Sequence, residues 1–215
     1  FSLEMPAEQL IMRMISNLGQ IDNKKLATGK LENDDWKRFN EAISILADTN
    51  IYFHDAGGIT PSEIKAKCRR LATQGDGLGL VIIDYLQLID SSSKYSGSRQ
   101  QEVSEISRAL KTMALELEVP VVALSQLSRS VEKREDKKPV LSDLRESGSI
   151  EQDADIVAAL HAPEVEAPSG DEVPTPIQLI ILKHRNGPTK TIDLLFKKKT
   201  STFLSIRRDD GHIAK

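Results

Sequence analysis

Residues 80–90 read Leu-Val-Ile-Ile-Asp-Tyr-Leu-Gln-Leu-Ile-Asp, and this run constrains the fold more than any other segment. Leu80 to Ile83 are uninterrupted apolar residues, three of them β-branched, and glycines at 75, 77 and 79 precede them. A short run of this kind suits a parallel strand buried on both faces better than a helix. Asp84 then emerges at the strand's carboxyl end. In open α/β sheets ligands bind beyond that edge. In nucleotide hydrolases an Asp there works with the Mg²⁺ that bridges the phosphates. A surface Asp that closes a core strand fits this segment equally well, so the rest of the chain must decide.

The surrounding pattern alternates helices with strands. Pro6 suits the first position of a helix, with Leu10, Met14 and Leu18 along one face. A second helix is expected over 34–47, with Trp36, Phe39, Ile43 and Leu46 as its apolar stripe. Ile51–Phe53 reads as a short strand. Thr60, Pro61 and Glu63 make a capping-box start, and that helix runs to about Ala72. Val103, Ile106, Leu110, Met113 and Leu117 alternate at spacings of three and four, the clearest helix in the chain. Val121–Leu124 reads as another buried strand, and 156–160, 177–182 and 192–196 as further strands. Alternating elements imply a largely parallel sheet with flanking helices. The short polar connections near the end imply an antiparallel C-terminal extension. The segment 162–176, rich in Pro and acids, is expected to be an exposed loop within one domain spanning 1–215.

Composition excludes several classes. Of the 215 residues, 39% are hydrophobic and 28% charged, which is enough to build a core and keep a solvated surface. The net charge of −3 requires that any nucleic-acid contact come from local patches. A single cysteine, Cys68, rules out an internal disulfide and a cysteine-rich zinc site. It stands at helical spacing with Ile64 and Leu71, as a core residue would. No apolar run reaches membrane-spanning length, and a cytoplasmic location is the expectation.

Four further segments could carry chemistry. Glu4 follows Phe1–Leu3, which reads as the end of a strand, and precedes a helix. A carboxylate there would share the carboxyl edge with Asp84 and could polarise an attacking water. Alone, it could equally serve only to favour the helix N-terminus. Gln126 follows the strand at 121–124, where an amide can bond a terminal phosphate or a water. Lys183 and Arg185, in Lys-His-Arg-Asn-Gly-Pro, are two apart, so on an extended segment they point to one side. They could act as arginine-finger-like cations or form an ordinary basic turn. In the run from Ser142 to Asp155 (SDLRESGSIEQDAD), small residues and Gly148 allow backbone N–H groups to approach an anion.

Taken in order, these segments resemble one family. Phe1–Pro6 (FSLEMP), Val81–Leu88 (VIIDYLQL), Val103–Lys111 (VSEISRALK), Leu124–Arg129 (LSQLSR), Ser142–Asp155 and Lys183–Pro188 (KHRNGP) together resemble the C-terminal motor domain of bacterial replicative DNA helicases of the DnaB type. The resemblance implies a RecA-like α/β core, ATP and Mg²⁺ as cofactors, and a homo-hexameric ring that moves on single-stranded DNA and unwinds duplex at the fork. It implies primase and a helicase loader as partners within a primosome. It assigns Glu4 as general base, Asp84 as the Walker-B carboxylate on Mg²⁺, and Gln126 as sensor of the γ-phosphate. Lys183 and Arg185 would reach a neighbour's nucleotide, and Arg145, Glu146 and Gly148 would hold the DNA backbone.

One departure stands out. The family's phosphate loop, GxxxxGK[ST], precedes the Glu4 strand, and this sequence has none. Thr28-Gly29-Lys30 lacks the first glycine and follows no strand, so the groups that grip phosphate are missing. The expectation is therefore a piece of a longer motor, inactive in isolation, with apolar surface left uncovered unless another segment covers it. Two rivals follow from the same residues: a RecA-type recombinase-like ATPase, which would not be expected to carry the Ser142–Asp155 run, and a non-hydrolysing assembly or DNA-binding remnant.

Overall fold

The computed structural model describes residues 1–74, 77–91, 98–144, 148–163 and 173–206. The chain divides into two compact units, the first formed by Phe1–Leu10, Ile51–Val157 and Leu182–Pro188, the second by Ile11–Asn50, Ala158–Ile181 and Thr189–Lys215.

In the first unit, β1 (Val81–Ile83) lies parallel to β2 (Val121–Ala123), in the register Val81 to Val121. On its other side β1 pairs with the first residues of the chain. Asp84 N–H donates to the Phe1 carbonyl at 2.8 Å, and Leu3 N–H donates to the Asp84 carbonyl at 2.7 Å. One helical layer covers this sheet: α4 (Pro61–Ala72) and α5 (Arg99–Leu117). Thr60 and Glu63 form the capping box that starts α4, as its sequence implies. Val103, Ile106, Leu110 and Met113 of α5 meet Ile64 and Cys68 of α4 over Val81 and Ile83, which builds the core.

The expectation of strands buried on both faces is corrected here. Ile83 is fully buried, but Ile82 is 50% exposed and Leu80, Val122 and Leu124 are exposed with it. The helices cover only the face that receives Val81 and Ile83. Period-two alternation sends Ile82 to the other face, where no described element of this unit covers it. Ile51–Phe53 forms no regular strand and is exposed, although the His54 carbonyl accepts Ser2 N–H at 2.9 Å.

In the second unit, α1 (Ala7–Gly19), α2 (Asn23–Thr28) and α3 (Asn33–Ala47) enclose a small core of Ile15, Ile21, Leu26 and Ala42. α1 and α3 lie close to where their sequence places them, but their inner faces differ. On α1 the inward residue is Ile15 rather than Leu18, which is exposed. On α3, Asp35 turns inward and leaves Trp36 48% exposed. Asp35 is held there by pairing with Lys25 Nζ at 2.8 Å and Arg38 Nη2 at 2.7 Å. Gly29 ends α2 in the left-handed region at φ 68°, so Thr28-Gly29-Lys30 is a helix stop.

A four-stranded sheet runs in the order β3 (Ile156–His161), β4 (Thr175–His184), β5 (Thr191–Lys197), β6 (Thr202–Ser205). Its β4–β5 and β5–β6 pairs are antiparallel, as the short connections predict. Most of the 162–176 segment lies outside the described residues. Asn17 Nδ2, on α1, donates to the Ser201 carbonyl at 3.1 Å, just before β6. Among the described residues, no helix is long and apolar enough to cross a membrane.

Candidate functional site

The carboxyl edge of the first unit's sheet gathers three of the predicted residues by register alone. Asp84 follows β1 and is half-buried. Its backbone pairs with Phe1 and Leu3, so Glu4 follows directly on the neighbouring segment and is exposed. Gln126 lies three residues past β2 and is also exposed. The three side chains therefore belong to adjacent parallel segments at the same edge. Among the described residues, no group of three or more His, Cys, Asp or Glu side chains forms a ready metal cage. A single strand-end carboxylate suits Mg²⁺, which keeps several waters and takes its remaining ligands from phosphates.

The loop after β2 is tied to the turn after β1. Gln87, in the 3₁₀ turn Leu86–Leu88, donates from Nε2 to Ser125 Oγ at 2.8 Å and accepts Gln126 N–H at 3.4 Å. Arg99, at the start of α5, donates to the Gln87 carbonyl at 2.5 Å. Leu86 N–H donates to the Leu124 carbonyl at 2.9 Å, so backbone and side chain together hold the two loops side by side. Sequence reasoning missed Gln87, although it stands three residues after Asp84 in the same run.

The described part of the Ser142–Asp155 run holds regular structure. Leu141–Asp143 is a 3₁₀ turn, and Gly148–Asp153 forms a short helix, α6. The physical reason is a pair of anchors to α5: Ser149 Oγ donates to Ser104 Oγ at 2.8 Å, and Ser107 Oγ donates to Asp153 Oδ2 at 2.8 Å. Asp143 is buried and pairs with Arg134 at 2.6 Å. Gly148 heads α6; Arg145 and Glu146 lie outside the described residues.

Lys183 and Arg185 do point to one side, as their spacing requires. Their target within the chain is the carboxyl end of α6, where the last carbonyls of a helix carry partial negative charge. Lys183 Nζ donates to the Glu151 carbonyl and, at 2.8 Å, to that of Ala154. Arg185 Nη2 donates to the Gln152 carbonyl at 3.2 Å, and Nη1 pairs with Asp155 at 2.8 Å. Asp155 also pairs with Lys111 of α5 at 2.5 Å. The hydrogen bond from Lys111 is the main reason its carboxyl is held below the ordinary range. In the turn after Arg185, a Cβ on Gly187 would stand 2.5 Å from the His184 ring, which explains the glycine.

Comparison with known proteins places these features in a family. The family described as DnaB-like helicase C terminal domain matches residues 1–205. The chain is 53% identical over 215 residues to the replicative DNA helicase DnaC of Bacillus subtilis (strain 168), covering 99% of this chain and 47% of that protein. It is 53% identical over 208 residues to the replicative DNA helicase DnaB of Geobacillus stearothermophilus, covering 97% of this chain and 45% of that protein. The chain thus spans about half the length of these relatives. A solved structure of an ATPase domain superposes with a TM-score of 0.87 at 40% identity, over 96% of this chain and 73% of that one. A DnaB-like replicative helicase, from a study of its interactions with primase, superposes equally well, with 49% of its chain covered. The core is therefore RecA-like, and the chain belongs to the DnaB-like helicase C-terminal domain family.

Proposed function

We propose that this chain is the motor portion of a replicative DNA helicase that couples ATP hydrolysis to movement along single-stranded DNA and unwinding at the fork. The observation that carries the reading is the Leu3–Asp84 backbone pairing, which brings Glu4 and Asp84 to the same carboxyl edge. Two carboxylates on adjacent segments permit a division of labour. Asp84 would hold Mg²⁺ directly or through water, and the bound Mg²⁺–ATP would supply the phosphoryl group and neutralise its charge. Glu4, solvent-facing, would orient the attacking water and accept its proton. Gln126 would bond the terminal phosphate, and the Gln87 bridge would pass that contact to the β1 side of the site.

Lys183 and Arg185 would serve the nucleotide of a neighbouring subunit in a homo-hexamer. Arg145, Glu146 and Gly148 would hold the DNA backbone, a contact that needs no base reading. Six subunits sharing one strand need little basic surface each, in keeping with a net charge of −3. One similar structure comes from a study of a replicative helicase's interactions with primase; primase and a loader are the partners we propose here too, in a cytoplasmic primosome. The phosphate loop would come from a segment of the same polypeptide, and its helix would cover the exposed Ile82–Val122 face.

The test is the full-length polypeptide with Glu4→Gln. Hydrolysis should fall by about 10²–10⁴-fold, the usual worth of a general base, while nucleotide binding persists. Retained turnover would remove Glu4 from the chemistry. The 215-residue chain alone should hydrolyse no ATP, and robust activity from it would overturn the division of the site between segments.

A further inference from the structure

We infer that Asp155 is a positioning residue for the Lys183–Arg185 pair, setting where these two cations stand when they serve a neighbouring subunit's nucleotide. The inference rests on the reading of that pair given above. Asp155 meets Arg185 twice: its carboxylate takes Nη1 at 2.8 Å, and its carbonyl accepts Arg185 N–H at 2.8 Å. The backbone bond fixes the strand end, and the ion pair fixes the guanidinium. Lys111 holds the same carboxylate from α5 at 2.5 Å. Asp155 is thus tied on one side to the helix that carries the core and on the other to the predicted finger. Lys183 is set in parallel by the Glu151 and Ala154 carbonyls.

The geometry leaves Arg185 able to act. Arg185 has five N–H donors, and its side-chain contacts among the described residues use one from each Nη. Its side chain remains 46% exposed. A guanidinium held by one edge and open on the other differs from a free surface arginine, because much of its rotamer freedom is already lost. Docking it against Asp155 lowers the ordering cost at the reacting phosphate, where small misplacements are expensive. Asp155 follows α6, so it also joins the finger to the element that succeeds the Arg145–Gly148 segment.

The experiment uses the full-length polypeptide assembled on single-stranded DNA, with steady-state ATP hydrolysis as readout. Arg185→Ala should lose about 10³-fold or more in kcat if it is a finger. Asp155→Asn should lose about 10- to 100-fold in kcat, the effect of displacing an aligned group, with KM nearly unchanged. Asp155→Glu, which keeps a carboxylate on a longer arm, should lose less than Asp155→Asn, and it serves as the test if Asp155→Asn does not assemble. Mixing Asp155→Asn subunits with Glu4→Gln subunits should restore hydrolysis, because an intact finger from one subunit then completes the intact site of the other. A merely structural defect would not be rescued by mixing. Full activity in Arg185→Ala would sink the finger reading, and the inference with it. Loss in Arg185→Ala with wild-type rates in Asp155→Asn and Asp155→Glu would overturn the inference alone. So would a loss in Asp155→Asn that mixing does not restore.

Discussion

Replacing Ile83 or Ile82 by alanine asks how far one face of the first unit's sheet carries its stability. Ile83 is fully buried among α4 and α5 residues, and Ile82, its neighbour, is 50% exposed on the opposite face. Shortening Ile83 removes apolar carbons worth about 0.8 kcal/mol each and leaves a cavity, so the cost should be about 3 kcal/mol. At Ile82 half the side chain already faces solvent and no closed cavity forms, so the cost should be about 1 kcal/mol. Cys68 is the only cysteine and lies in the same cluster as Ile83. Thiol labelling in urea therefore reports the opening of this core and nothing else. Ile83→Ala should lower the labelling midpoint by roughly 1.5 M at a slope of about 2 kcal/mol/M. Ile82→Ala should shift it by about a third of that. Equal shifts would refute the one-sided core. In a polypeptide whose phosphate-loop helix covers the Ile82 face, the cost at Ile82 should rise toward that at Ile83.

Thr60→Ala removes the hydroxyl of the α4 capping box and should destabilise the chain by about 1 kcal/mol, with Thr60→Ser close to wild type in urea unfolding. Asp35 is held below the ordinary carboxylate range, chiefly by the hydrogen bond from Lys25. The unfolded chain therefore takes up a proton first on acidification. The stabilisation is complete above about pH 4 and is lost as pH falls through the lowered folded value. Asp35→Asn should accordingly differ from wild type in urea midpoint at neutral pH and converge with it as pH falls below the lowered folded value; a gap that widens in acid would reverse the sign.

What was legible in the sequence was set by short-range rules. The α5 stripe from Val103 to Met113, the Thr60–Glu63 cap and the antiparallel ending each depend on spacing or turn length, and each stands where expected. So does the shared edge of Glu4, Asp84 and Gln126, because parallel register brings the carboxyl ends of neighbouring segments together. What failed depended on partners far along the chain. Ile82 and Val122 read as core because hydrophobicity does not say whether a second layer is present. Trp36 read as inward because an aromatic stripe hides the alternative, an aspartate carried inside by Lys25 and Arg38. The helix α6 was not foreseen, because its anchors, Ser149 and Asp153, bond to α5 some 45 residues away. Asp155 lay within the quoted motif, yet only the fold brings it to Arg185.

The most direct test of the central claim is unwinding of a forked DNA by the full-length polypeptide with ATP and Mg²⁺. Unwinding should depend on single-stranded DNA and stop in Glu4→Gln with nucleotide binding intact, and strand binding should weaken in Arg145→Ala. Unwinding that persists in Glu4→Gln, or ATP hydrolysis indifferent to single-stranded DNA in the wild type, would contradict the claim.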